Sequence, residues 1–255
     1  MKEVIETKSI QDTFREVLKL KLKFLELTKK YQNLGYSKEK ATARARFPKM
    51  EAYKLLLKLK FNGKQAVEFF RNVEMPISLK WYEDIFFAWY DVTGRIFITP
   101  KTREWCKLPY PGHPQGCPNY GKKDECPPHA PIVSDFIDLT KPHFFAIHAF
   151  DLKAFSERMT KDHLTWSNRK SKCSRYWQGH VNSLLKREIE KKIGKNQIYT
   201  LVFEAMSGNI FRTLLSLGIP IRRNPQEIVF KVALIGTPYN TNQLTLDDYR
   251  GGPCE

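Results

Sequence analysis

FFAIHAF (residues 144–150), IYTLVF (198–203) and EIVFKVALI (227–235) are short apolar, aromatic and β-branched runs, and what lies between them decides the fold. A long helical stretch, roughly residues 153–192, separates the first two and is expected to break near Trp166. A helix over 209–217, ended by Gly218, separates the second from the third. The order β-α-β-α-β predicts a small sheet with covering helices, in the α+β (or α/β) class. Upstream, residues 81–97 are aromatic and β-branched around Asp91-Val-Thr-Gly94, which predicts a β-hairpin. Residues 9–75 read as helical. Phe14, Val17, Leu18, Leu20, Leu22, Phe24, Leu25 and Leu27 give a mostly helical apolar face broken by lysines, and Asn33-Leu34-Gly35 stops the first helix. Ser37 is a candidate N-cap. A further helix is expected through 51–60, Gly63 as its stop, and a short one over 64–73. Pro76 marks a change of texture, which suggests a basic helical region over 1–75 and a metal-binding α/β domain over 76–255. The polar tail from Gly236 is expected to be irregular.

The chain has 255 residues, of which 42% are hydrophobic and 27% charged, so a core can be built and wholesale disorder is excluded. The net charge is +16. That excess suits a polyanion such as DNA or RNA. The opening residues lack an apolar signal core, and no apolar run is long enough to span a bilayer. A cytoplasmic protein with no membrane partner is therefore expected. Five cysteines in a reducing compartment argue against disulfides.

Residues 106–131 hold seven of the fifteen prolines and three of the five cysteines. A long loop without secondary structure needs something to pin it, and a metal would do that. Cys106, Cys117 and Cys126 are single thiols, and a proline follows two of them. Thiolates suit zinc and iron–sulfur clusters. Zinc sites bring cysteines in close pairs, and no such pair exists here, so an iron–sulfur cluster, [4Fe-4S], fits better, with zinc as the alternative. Cys173 is the expected fourth ligand. Cys254 lies beside the chain end, where ligation is less expected. His113 and His129 flank the loop cysteines and are alternative ligands.

Cys106, Cys117-Pro118-Asn119-Tyr120-Gly121 and Cys126-Pro127-Pro128 resemble a family of uncharacterised, predicted metal-binding proteins of archaea and anaerobic bacteria. A weaker similarity covers Glu204-Ala205-Met206-Ser207-Gly208-Asn209-Ile210-Phe211. The resemblance spans about residues 80–236 and implies metal binding without naming a reaction. This chain lacks the second cysteine-rich stretch that the family carries ahead of Glu204.

Basic residues gather at Arg44, Arg46 and Lys49, at Arg169, Lys170, Lys172 and Arg175, and at Arg222 and Arg223. Trp166, Tyr176 and Trp177 interleave with the second group. Basic and aromatic residues together can hold phosphates while stacking bases, although Trp177 is expected to turn into the core. Phosphate-cradling, nucleophile-elbow and zincin motifs are absent. Three functions follow as expectations. The first is an iron–sulfur protein acting on or with nucleic acid, in modification, sulfur handling or processing. The second is an electron-transfer module for a redox partner protein. The third is a structural zinc domain.

Overall fold

Five antiparallel strands form a single sheet in the order β1-β2-β3-β5-β4. They are β1 (Val73–Glu74), β2 (Asp84–Asp91), β3 (Phe144–Asp151), β4 (Ile198–Thr200) and β5 (Ile228–Gly236). The structure is a computed structural model, and it describes residues 10–74, 84–109, 113–219, 221–222 and 225–239. The class is α+β: the strands run antiparallel and helices are not threaded between parallel neighbours.

The strand runs around 144–150, 198–203 and 227–235 all enter the sheet, and β3 and β5 pair along eight residues. Period two then divides the sheet into two apolar faces. On one face Phe86, Ala88, Tyr90, Phe145, Ile147, Ala149, Phe230, Val232 and Leu234 meet the N-terminal helices. These are α1 (Ile10–Asn33), α2 (Lys38–Arg44), α3 (Arg46–Lys58) and α4 (Gly63–Asn72). Phe14 of α1 packs on Phe61, Phe69 and Phe86, with ring centroids 5.2–6.5 Å apart. The helices of residues 10–72 therefore share one core with the sheet, and β1, which follows α4 directly, is a strand of it. The same face also receives α5 (Val133–Phe136) and α9 (Ile210–Ser216). On the opposite face Phe87, Ala146, Ala233 and Ile235 pack on Leu184, Leu185 and Ile189 of α8 (Gln178–Glu190). Phe150 and Val229 meet Phe155 of α6 (Leu152–Asp162) and Trp177, just ahead of α8.

Caps explain the helix boundaries. Ser37 accepts from the Lys40 N–H, as expected of an N-cap. Gly63 opens α4 instead of stopping α3, because Asn62 and Gln65 close a reciprocal capping box in front of it. The chain leaves α3 through Lys60, at φ 68°. The helical stretch after β3 is broken as expected: α6 ends at Asp162, and a short α7 (Asn168–Ser171) and a 3-10 turn (Ser174–Tyr176) precede α8.

The expected hairpin over 81–97 is not formed. Its first residues, 81–83, lie outside the described residues, as do Arg223, Cys254 and most of the tail. The turn after β2 is present, with the Arg95 N–H on the Val92 carbonyl, but the chain beyond it does not fold back on β2. Residues 97–99 pair instead with 207–209. Asn209 N–H donates to the Phe97 carbonyl, Thr99 N–H donates to the Ser207 carbonyl, and Ile98 bridges Gly208. The place beside β2 is taken by β3, which pairs with it from Asp84 to Asp91.

Candidate metal centre

Cys106 closes a 3-10 helix over Pro100–Lys107. Pro100 at its start suits a turn whose first amides need no partner. From there the loop is held by its own backbone. The Cys117 N–H donates to the Cys106 carbonyl at 2.7 Å, and the Gly121 N–H to the Pro127 carbonyl at 2.8 Å. The Cys126 carbonyl accepts from both His129 and Ala130, each at 2.9 Å. The Arg103 guanidinium donates to the carbonyls of Pro128 and Ala130 at 2.7 and 2.8 Å, tying the 3-10 helix to the Cys126 turn. Gly116 has φ 85°, and a Cβ there would lie 2.6 Å from the Cys106 carbonyl oxygen. No side chain fits at that crossing.

The three loop cysteines are half-buried and free of disulfides. The Cys106 thiol is pushed up to about 11, first by burial, then by the charges of Cys117, Cys126 and Glu204, with Arg103 opposing. Cys117 and Cys126 are thus both close enough to act on the Cys106 thiol. The donors are soft, and burial makes the Cys106 thiol resist ionisation. A metal reverses that balance by binding the thiolate directly. Among the described residues, however, no group of three or more His, Cys, Asp or Glu side chains is gathered so as to hold a metal ion.

Cys173 stands apart from this loop in the fold. It caps the 3-10 turn leading to Trp177. Trp177 stacks on Phe150 at 5.8 Å, on the face opposite Ala130, Val133 and Phe136, which follow Cys126. His129 is exposed and His113 half-buried.

The segment of the weaker similarity lies against the cysteine loop. Besides the bonds at 97–99, the Val133 N–H donates to the Met206 carbonyl, and Trp105 packs edge-on against Phe211 at 5.2 Å. Ser207 is fully buried, has φ 74°, and its hydroxyl has no hydrogen-bond partner. Glu204 is partly buried; burial raises its carboxyl, against the lowering charge of Lys231 and a bond from its own N–H.

The basic residues fall on two layers. Arg44 lies over Tyr36, 4.5 Å from the ring centroid, and Lys49 lies 5.5 Å from Tyr53. Arg46 is exposed. In the second group Lys172 bonds Gln226 at 2.7 Å, and Arg169, Lys170 and Arg175 are exposed. Trp166 stacks with His163 at 4.6 Å and meets Tyr176 at 4.4 Å, while Lys170 lies 4.7 Å from its centroid. Trp177 is buried, as expected, with its indole N–H on the Lys172 carbonyl.

One buried polar cluster was not anticipated from sequence. Asp84 accepts from, or pairs with, His180 of α8 at 2.9 Å. The His148 Nε2 approaches the other Asp84 oxygen to 3.0 Å, off the line of a hydrogen bond. A bulge makes this possible. Asp84 pairs with Phe150 and Phe86 with Ala149, so the extra residue Ile85 turns Asp84 onto the face of Phe87 and His148. A lone histidine inside FFAIHAF was the available signal.

No known family model, curated protein or solved structure matches the chain. No described helix is long and apolar enough to cross a membrane.

Proposed function

We propose that this protein is a cytoplasmic iron–sulfur protein, with Cys106, Cys117 and Cys126 as cluster ligands, that acts on or with nucleic acid. The observation that carries the metal half is the loop itself. Three half-buried thiols from one irregular segment are pinned by backbone bonds, an arginine clamp and a glycine crossing that admits no side chain. The absence of a close cysteine pair in the sequence favours a cluster over zinc. Zinc needs its donors about 2.3 Å from a single point, whereas a cluster spreads its thiolates over separate irons. Such a centre would supply electron transfer or an iron for binding substrate.

The nucleic-acid half is supported by the net charge of +16 and by the exposed Arg169, Lys170 and Arg175 near the tilted ring pair of Trp166 and Tyr176. Rings of that kind stack bases while the cations hold phosphates.

The test is iron, zinc and acid-labile sulfide analysis with an absorption spectrum on protein purified without oxygen. Iron and sulfide at about four each, lost in Cys117→Ser and Cys126→Ser, are expected. Zinc without sulfide would overturn the cluster. Single-stranded oligonucleotide binding that weakens steeply with salt is expected alongside. A reversible redox couple with no oligonucleotide binding would leave only the electron-transfer role.

A further inference from the structure

Helix α3 buries one face and leaves the other exposed. Pro48, Ala52 and Leu56 are buried in the core. On the outward side Phe47 is 70% exposed, Met50 50% and Leu57 51%. With Lys54 between Met50 and Leu57, these residues recur at spacings of three, four and three. At 3.6 residues per turn they share an arc of about 80° along about 15 Å of helix. Apolar residues scattered singly on a surface are ordinary, whereas a continuous stripe marks an interaction site. This spacing is that of a seam on which a second helix packs.

The stripe is bordered by cations. Arg46 and Lys58 flank it, Lys54 lies within it, and all three are exposed. Four basic residues of α3 stand against one acidic residue, Glu51. Its bond to Lys54, 2.8 Å long, is an exposed i,i+3 pair, which is worth little and exchanges readily. Charge alone would suit a phosphate backbone, but Met50 and Leu57 find no counterpart there. A second copy of the chain would bring like charges together. Parallel pairing sets Lys54 against Lys54, and antiparallel pairing of Phe47 with Leu57 sets Arg46 against Lys58. A helix with its own apolar seam and acidic flanks meets both the stripe and the cations.

We propose that the outward face of α3 docks an acidic amphipathic helix of a partner protein, with Phe47, Met50 and Leu57 as the seam. Lys54 sets the register by facing a carboxylate of that helix. None of these residues belongs to the cysteine loop or to the Arg169–Arg175 group, so the proposal stands whether or not a metal or nucleic acid binds.

The experiment is fluorescence anisotropy of a labelled helical peptide of about three heptads, titrated with the full chain. The peptide carries leucine along its seam and glutamate on its flanks, which keeps it from pairing with itself at neutral pH. One control has the same composition in scrambled order, and another has lysine in place of glutamate. Only the acidic seam peptide is expected to bind. Met50→Glu should weaken binding about tenfold, as loss of a central seam residue does. Lys54→Glu should shift the preference toward the lysine peptide. Both positions are exposed, so both variants should keep the wild-type unfolding midpoint. The proposal is overturned if the acidic peptide binds no better than the scrambled one, or if both variants bind it as the wild type does. It is also overturned if that peptide fails to bind while another occupant takes the face. That occupant would be a second copy if sedimentation shows a dimer that Met50→Glu dissociates. It would be a membrane or nucleic acid if phosphatidylserine vesicles or a single-stranded oligonucleotide retain the wild type and not Met50→Glu.

Discussion

Among the described residues, the histidine–aspartate cluster and the cysteine loop lie on opposite faces of one sheet and are built in opposite ways. Asp84, His148 and His180 stand on two strands and a helix, and their positions follow from the sheet register and one bulge. Cys117 and Cys126 stand in an irregular loop and Cys106 in the 3-10 helix that leads into it, and theirs follow from carbonyls, an arginine and a glycine. Regular elements can hold a buried charge by giving it partners directly. A loop cannot bury its backbone cheaply, so what holds it must come from its own hydrogen bonds and from whatever the thiols bind. The first cluster is therefore expected to govern stability in any state, and the second to matter chiefly with metal bound.

The largest expected effect is on the histidine side. Asp84→Ala removes the carboxylate that faces both imidazoles and should cost about 3–5 kcal/mol, as when one partner of a buried pair is removed, read from chemical denaturation near neutral pH. Burial alone would raise the Asp84 carboxyl, but His148 and His180 outweigh it and hold it below the usual range. A depressed carboxyl stabilises the fold above its unfolded value, about pH 4, and that contribution disappears as pH falls through the folded value. The gap between wild type and Asp84→Asn should thus be full at pH 7 and close below about pH 4. A gap constant down to acid would show that the carboxylate charge is irrelevant.

On the loop side, Gly116→Ala meets both a φ of 85° and a Cβ clash with Cys106. A left-handed non-glycine residue costs about 1–2 kcal/mol before the clash is counted. The expected outcome is a lower unfolding midpoint together with lost metal. A variant that keeps its metal content would break the claim that the crossing shapes the site. Arg103→Ala removes two bonds from a charged donor, each worth about 1.5–3 kcal/mol at most. Solvation of the freed carbonyls should reduce the net loss to roughly 1–2 kcal/mol, and metal release in a chelator should quicken. The smallest effect on folding is expected for Arg169→Ala with Lys170→Ala. Stability should stay within about 0.5 kcal/mol, while oligonucleotide affinity falls and its salt slope shrinks by about 1–2.

The same contrast explains what could be read in advance. Strands β3 and β5 and the interrupted helices were visible because apolar period and caps are local signals. The cysteine loop was visible because proline and cysteine are rare enough to announce themselves. The hairpin over 81–97 was misread because the competitor for the edge of β2 lies more than fifty residues downstream in β3. Nothing near Gly63 shows that Asn62 and Gln65 would turn a stop into a start until the reciprocal pair is recognised. Asp84 was invisible because one inserted residue decides its face.

The dependence of the cysteine loop on residues 203–211 also sets an order of events during synthesis. Cys126 leaves the ribosome 77 residues before Phe203. At about 5–20 residues per second, roughly 4–15 seconds pass before the segment that packs against the loop exists. For that interval the three thiols are made but not enclosed, and this is when an oxidant or a metal-delivery factor has its easiest access to them.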